Sequence, residues 1–154
     1  MSRRLTVLTT ITDKRGRRWS IAVQVDRVGS LLIAYFGVWP AMRVDLRGSS
    51  VGSACCSVHE TGKAKLDDIR VEPRYRDNDI GSQLLKEVEK WAAGVGVVHL
   101  YGELSKVDAD HFTMLRHFYT KHGWTWCLFG QGDPRLKPGS PIAGLVEKTL
   151  HTVM

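Results

Sequence analysis

The chain is poor in the residues that commit a protein to metal or disulfide chemistry. It has only three cysteines, Cys55, Cys56 and Cys127. An odd count with two adjacent members is a poor disulfide framework, and no Cys-x-x-Cys is present to build a zinc knuckle. The histidines form no His-Glu-x-x-His. His111, His117 and His122 are spaced six and five apart, which does not align them on one helix face, so no metal site is expected. No apolar run approaches the roughly 20 residues of a membrane helix. Met1 to Thr10 carries two arginines and then a short apolar stretch broken by threonine, too weak for a secretory signal, so a cytoplasmic location is expected. Repeats, low-complexity tracts and linkers are absent. A length of 154 residues suits one hydrophobic core, and a single domain over 1–154 is expected.

What is present is ordinary globular composition, with 43% hydrophobic and 25% charged residues, and an excess of positive charge of +6. A basic surface favours an anionic partner: nucleic acid, an acidic protein or a phosphorylated cofactor. The densest basic cluster, Lys14-Arg15-Gly16-Arg17-Arg18, lies between two apolar stretches and has no interleaved aromatics. It reads as a solvated hairpin tip rather than a nucleic-acid contact.

The first third reads mostly as strands. Leu5 and Val7 alternate, with Thr9 and Ile11 continuing the pattern, and so do Ile21, Val23 and Val25. Leu31 to Val38 is continuously apolar and fits either a buried strand or a short helix. Ser50 to His59 and Lys65 to Val71 read as an antiparallel pair turning at Glu60-Thr61-Gly62-Lys63. Helical spacing then appears in Ile80, Leu84, Val88 and Trp91, with Asp79 placed to cap the start and Gly94 to stop the helix. A short strand is expected at Val97 to Leu100, a second helix from about Ala109 to His122, a strand at Trp124 to Phe129, a loop from Gly130 to Gly144, and a last strand from Leu145. This order predicts an α/β (α+β) fold with one mixed sheet packed by helices and a strand-rich N-terminal third.

The segment from Leu66 to Trp91 carries the strongest functional signal. A buried strand ends at Val71, and Pro73 takes the chain out of the sheet. A polar turn with Arg74 and Arg76 follows, and then a helix whose first N–H groups lack partners. Such an end attracts phosphate through free donors and the helix dipole, the arginines can pair with phosphate oxygens, and Gly81 lets a ligand approach the backbone.

At these residues the chain resembles the GNAT superfamily of acetyl-CoA-dependent N-acetyltransferases, whose cofactor motif is Arg/Gln-x-x-Gly-x-Gly/Ala after a strand ending in Val-x-Pro. The matching residues are Val71-Glu72-Pro73, Tyr75-Arg76, Ile80-Gly81-Ser82 and Leu84-Leu85. Phe118-Tyr119-Thr120-Lys121-His122-Gly123-Trp124 resembles the family's Phe-Tyr-x-x-x-Gly-Phe block, and Val146 to Leu150 its closing strand. The resemblance covers the C-terminal 90 or so residues. The N-terminal third matches no motif and lacks the two amphipathic helices usual there. The resemblance implies a splayed sheet with acetyl-CoA as co-substrate between two diverging strands. Ile69, Arg70 and Val71 would meet the pantetheine arm, and Arg76, Asp77, Asn78, Asp79, Ile80, Gly81 and Ser82 the pyrophosphate. Asp79 stands where the family has its first motif glycine. Its carboxylate either approaches the pyrophosphate or turns back as a helix cap.

Acetyl transfer to an amine needs a proton acceptor for the amine, donors for the carbonyl oxygen and a proton for the leaving thiolate. The resemblance gives the last role to Tyr119, which read alone would be a core aromatic. Alternation along the strand puts Asp67 and Asp68 on opposite faces, with Asp67 on the face of Ile69 and Val71, so Asp67 is the first choice of base. Asp68 and Glu103 stay open, and the cysteines read as packing residues. The expected activity is transfer of acetyl from acetyl-CoA to a primary amine on a small molecule, a peptide N-terminus or a lysine. Two other readings stand beside it: a non-catalytic acyl-CoA-binding module, and an RNA-binding acetyltransferase acting on aminoacyl-tRNA. The expected partner is an amine acceptor, not a membrane or nucleic acid, with a homodimer left open.

Overall fold

The computed structural model describes residues 5–41, 50–59 and 61–150. Eight strands and two α-helices occupy them. The strands are β1 (Thr6–Thr12), β2 (Arg18–Val28), β3 (Leu31–Pro40), β4 (Gly52–Val58), β5 (Lys63–Val71), β6 (His99–Ser105), β7 (Thr125–Leu128) and β8 (Ile142–Thr149). Helix α1 (Ile80–Gly94) joins β5 to β6, and α2 (Phe112–Lys121) joins β6 to β7. All strands lie in one sheet in the order β1-β2-β3-β4-β5-β6-β8-β7. Every neighbouring pair is antiparallel except β5 and β6. This is the mixed, strand-rich sheet that the sequence predicts.

Turn chemistry builds the N-terminal half. Asp13 and Gly16 close the β1–β2 hairpin: Gly16 N–H donates to the Asp13 carbonyl at 3.0 Å, with Gly16 at φ 81°. β2 and β3 pair from Trp19↔Pro40 to Val28↔Leu31 across the two residues Gly29-Ser30. Gly29, at φ 61°, supplies the positive φ that so short a hairpin needs. The continuously apolar stretch from Leu31 is therefore a strand, set by its pairing with β2 on one side and β4 on the other. On β1 the register shifts between Val7 and Thr9, so Leu8 is a bulge.

α1 packs on β4 and β5. Its Ile80, Leu84, Leu85 and Val88 are almost fully buried, in one core with Ala54, Cys56, Ala64 and Leu66 of the sheet. Each such side chain contributes on the order of 2 kcal/mol by leaving water. The Trp91 ring meets Phe36 of β3 edge-on at 5.6 Å. Lys148 of β8 pairs with Glu89 of α1 and donates to the His122 carbonyl at 2.7 Å, tying both helices to the far half of the sheet.

Several boundaries differ from expectation. β6 starts at His99 and runs to Ser105, because its polar residues alternate with buried Leu100, Gly102 and Leu104. Val97 is buried ahead of the strand. The second helix is a 3-10 segment over Lys106–His111 followed by α2. Gly94 is the last residue of α1 and Gly96, at φ 92°, makes the turn beyond it. Of the expected β4–β5 turn, Glu60 lies outside the described residues, as do Met1 to Arg4 of the opening segment. Among the described residues no helix is long and apolar enough to cross a membrane, and no group of His, Cys, Asp and Glu is gathered as metal ligands.

Candidate functional site

β5 and β6 pair only at Lys63↔His99, Ala64↔Leu100 and Lys65↔Tyr101. Beyond that they part, while β5 stays paired to β4 as far as Val71 and β6 to β8 as far as Ser105. The outcome is a wedge open towards the end of β5. Peptide groups on the β6-facing edge of β5, along Ile69, Arg70 and Val71, have no strand partner there. The helices lie on one side of this wedge, since α1 and α2 touch each other and share a core with Leu66 and Val146. Among the described residues no helix covers the opposite face of the sheet.

A bulge in β5 decides which face each carboxylate occupies. Cys55 pairs with Asp68 and Cys56 with Leu66, so Asp67 is the extra residue. This overturns the expected alternation. Ile69 and Val71 pack towards the helices, whereas Asp67 lies on the open face. There its carboxylate accepts from Ser57 Oγ at 3.1 Å and lies 3.5 Å from Lys65 Nζ. Lys65 also pairs with Glu103 at 2.6 Å. Asp68 is exposed and pairs with Arg70, so Asp67 and Asp68 are not on opposite faces. The same face carries Cys55, whose thiol is pushed up to about 11 by burial and then by the Asp67 carboxylate; it is protonated at neutral pH and is no nucleophile.

The wedge ends at a loop with free donors. After Val71 the chain makes a 3-10 turn over Pro73–Tyr75 and enters α1 at Ile80. Among the described residues the backbone N–H groups of Asp77, Asn78, Asp79, Ile80, Gly81 and Ser82 donate to no acceptor. The loop is fixed from within. Asn78 is buried and its amide donates to the carbonyls of Tyr75 and Arg76, at 3.3 and 2.9 Å. Arg76 Nε donates to the Val71 carbonyl at 3.0 Å, and Arg74 pairs with Glu72.

Asp79 is not the cap the sequence suggests. It sits at the N-cap position with φ 72° and ψ 4°, and its side chain makes no capping hydrogen bond. A capping side chain requires extended backbone there, and left-handed backbone is instead the preference of the glycine this position lacks. Gly81 serves space rather than φ. A Cβ placed on it would point at Val71 and Phe118, 3.6 and 3.7 Å away, so it borders the slot between the end of β5 and α2.

α2 closes the other side. Tyr119 is buried against Phe118 and Trp124, with ring centroids 5.3 Å apart in each case. Its hydroxyl has no hydrogen-bond partner among the described residues, yet is not sealed from solvent. Burial, with a further push from the Asp68 carboxylate, raises the phenol to about 12. It is a proton donor at any neutral pH. One link went unseen in the sequence: buried Ser82 in the first turn of α1 is hydrogen-bonded to His122 at the end of α2, Oγ to Nε2, at 2.9 Å. A second joins the basic hairpin to the loop, with Lys14 N–H donating to the Asn78 carbonyl at 3.2 Å and Gln83 Nε2 to the Thr12 carbonyl at 3.2 Å. The only signal for either was the presence of polar residues inside otherwise apolar faces.

The sequence pattern described as the acetyltransferase (GNAT) family matches residues 14–124. No curated protein matches the chain. Among solved structures, a GNAT-family acetyltransferase from Staphylococcus aureus Mu50 superposes with TM-score 0.58 at 16% identity, over 77% of this chain and 69% of that one. One from Streptococcus pneumoniae gives 0.54 at 21%, over 77% and 67%. The PaiA N-acetyltransferase of Thermoplasma acidophilum, solved in complex with coenzyme A, gives 0.53 at 20%, over 76% and 60%. Identities this low speak to the fold.

Proposed function

The chain belongs to the acetyltransferase (GNAT) family, and from that membership we propose that it transfers an acetyl group from acetyl-CoA directly to a primary amine. The observation that carries this reading is the parting of β5 from β6 beside a loop whose N–H groups are free. The wedge offers unpaired peptide groups to an amide-bearing arm, and the loop offers donors to a diphosphate. Gly81 leaves the slot between Val71 and Phe118 unfilled. These residues fit acetyl-CoA.

Acetyl-CoA supplies the acetyl group as an activated thioester. Ile69 to Val71 hold the pantetheine arm through their free edge, and Asp77 to Ser82 hold the pyrophosphate through backbone N–H groups, with Arg76 beside them. A β5 N–H next to the bulge stabilises the charge that builds on the acetyl oxygen as the C–N bond forms. Asp67, on the open face at the point where β5 and β6 separate, takes the proton that the amine must lose. As the C–S bond breaks, the Tyr119 hydroxyl gives its proton to the sulfur. The acceptor approaches over the face that no helix covers among the described residues, where the Gly29-Ser30 turn stands in place of the family's usual pair of helices. Asp67, Asp68 and Glu103 on that face suit a cationic amine.

Thiol release from acetyl-CoA across a panel of small amines, peptide N-termini and lysine peptides tests the reading. Amine-dependent release with acetylated product is expected. Tight acetyl-CoA binding with no release for any amine would replace the enzyme with a binding module, and failure to bind would remove the reading altogether.

A further inference from the structure

The phosphate loop has the wrong charge for its proposed ligand. Residues 72–79 carry Arg74 and Arg76 against Glu72, Asp77 and Asp79, a net negative segment. Backbone N–H groups can offset part of that, but a diphosphate brings further negative charge to the same place. Further cations lie on the β1–β2 hairpin, where residues 13–18 hold four basic side chains against one acid.

That hairpin is fastened to the loop at three points. At its start, the Arg17 guanidinium stacks over the Tyr75 ring at 5.1 Å, and Tyr75 meets Trp19 edge-on at 5.2 Å. At its middle, Lys14 N–H donates to the Asn78 carbonyl. At the first turn of α1, Gln83 donates to Thr12. The tip is itself tied together from within. The fully buried Asp13 carboxylate accepts from the N–H groups of Arg15 and Arg17, from Arg17 Nε and from Trp19 Nε1, all between 2.8 and 3.0 Å. Burial acts to raise this acid, yet those hydrogen bonds hold it down at about 2. Asp13 and Arg17 are thus committed to each other, with one Arg17 nitrogen, Nη2, enclosed and unpartnered. Lys14 and Arg15 are exposed, and their side chains make no ion pair or hydrogen bond among the described residues.

We propose that the β1–β2 tip is a second arm of the cofactor site, in which Lys14 and Arg15 neutralise the diphosphate held by the Asp77–Ser82 loop. The proposal rests on the acetyl-CoA reading above. It turns the basic cluster from a solvated tip into a binding element, and it explains how the loop accepts Asp77 and Asp79. Lys14 N–H takes up the Asn78 carbonyl, the N–H groups of Asp77 to Ser82 stay without acceptors among the described residues, and the hairpin supplies charge from the flank.

The test is calorimetric titration of the full chain with CoA and with dephospho-CoA, which keeps the diphosphate and lacks the 3′-phosphate. Lys14→Ser/Arg15→Ser is compared with wild type and with Arg27→Ser/Lys90→Ser, a control of equal charge change at exposed positions away from the loop. The first pair should weaken both ligands about three- to tenfold at low salt, with the loss shrinking as salt rises, while the control changes little. Both substitutions keep the backbone bonds of the tip, and an unchanged melting temperature verifies the fold. Equal affinity of the tip variant and wild type at low salt overturns the proposal. So does a loss confined to CoA, which would assign the tip to the 3′-phosphate. Wild type that binds neither ligand refutes the acetyl-CoA reading instead, so the two failures are distinguishable.

Discussion

Ser82 and His122 meet at 2.9 Å and hold together the two walls of the proposed cofactor slot, the first turn of α1 and the end of α2. Phe118 packs against the same imidazole at 5.3 Å. Burial first, and then the Lys121 charge, lower the His122 pKa from 6.5. A histidine lowered in the folded state contributes stability that is present above its unfolded pKa and lost as pH falls through its folded one. Wild type should therefore lose stability relative to His122→Gln as pH is taken from 7.5 to 5. Melting curves across that range check it; a constant gap between the two proteins would mean that His122 has the same pKa folded and unfolded.

Tyr119 separates a catalytic hydroxyl from a packing ring. The hydroxyl has no hydrogen-bond partner among the described residues, so Tyr119→Phe should leave the melting temperature within a degree or two and CoA affinity within about twofold. Turnover should fall on the order of 10²-fold, because only an interaction made in the transition state is lost. Steady-state kinetics beside calorimetry would show the split. Unchanged kcat would make Tyr119 a core aromatic and nothing more.

Asp79 is decided by comparing two terms. Its left-handed backbone favours glycine by about 1 kcal/mol, but glycine also loosens the unfolded chain by nearly as much, so Asp79→Gly should change stability little. No capping bond is lost. The carboxylate beside a diphosphate at a wet surface opposes binding by on the order of 1 kcal/mol. The charge therefore decides. Both Asp79→Gly and Asp79→Asn should bind acetyl-CoA several-fold more tightly at low salt. If neither does, the carboxylate points away from the phosphates.

Gly81 tests the slot itself. A Cβ there makes only ordinary contacts with Val71 and Phe118, so Gly81→Ala should fold with unchanged or slightly raised stability. The larger Gly81→Val should fill the space between those two side chains and weaken acetyl-CoA at least tenfold, a loss of about 1.4 kcal/mol. Full affinity in a well-folded Gly81→Val protein would move the cofactor elsewhere.

The sequence was most readable where structure is local. The strand ending at Val71, the break at Pro73 and the start of α1 at Ile80 follow from periodicity and turn residues within one stretch of chain, and they sit where expected. The β1–β2 hairpin tip was legible for the same reason, whereas Leu31 to Val38, continuously apolar, fitted strand and helix alike until its pairing with β2 and β4 settled it. The face of Asp67 was not, because a bulge depends on how β4 pairs with β5 and leaves no mark in the β5 sequence itself. The left-handed Asp79 was misread because aspartate is both a good cap and a tolerable left-handed residue. The Lys14–Asn78 contact spans more than sixty residues of chain, and only the folded chain, in which the loop after β5 and the start of α1 reach across to the β1–β2 hairpin, makes it visible.

The bulge at Leu8 and the four-residue length of β7 have a consequence for how the protein behaves in a crowd. A wide open sheet has two edges at which another chain could add a strand. At one edge the bulge breaks the even row of donors and acceptors that such addition needs; at the other the strand is too short to template it. Both described edges are thus poor templates for a further strand, and copies of the sheet gain little by pairing edge to edge there.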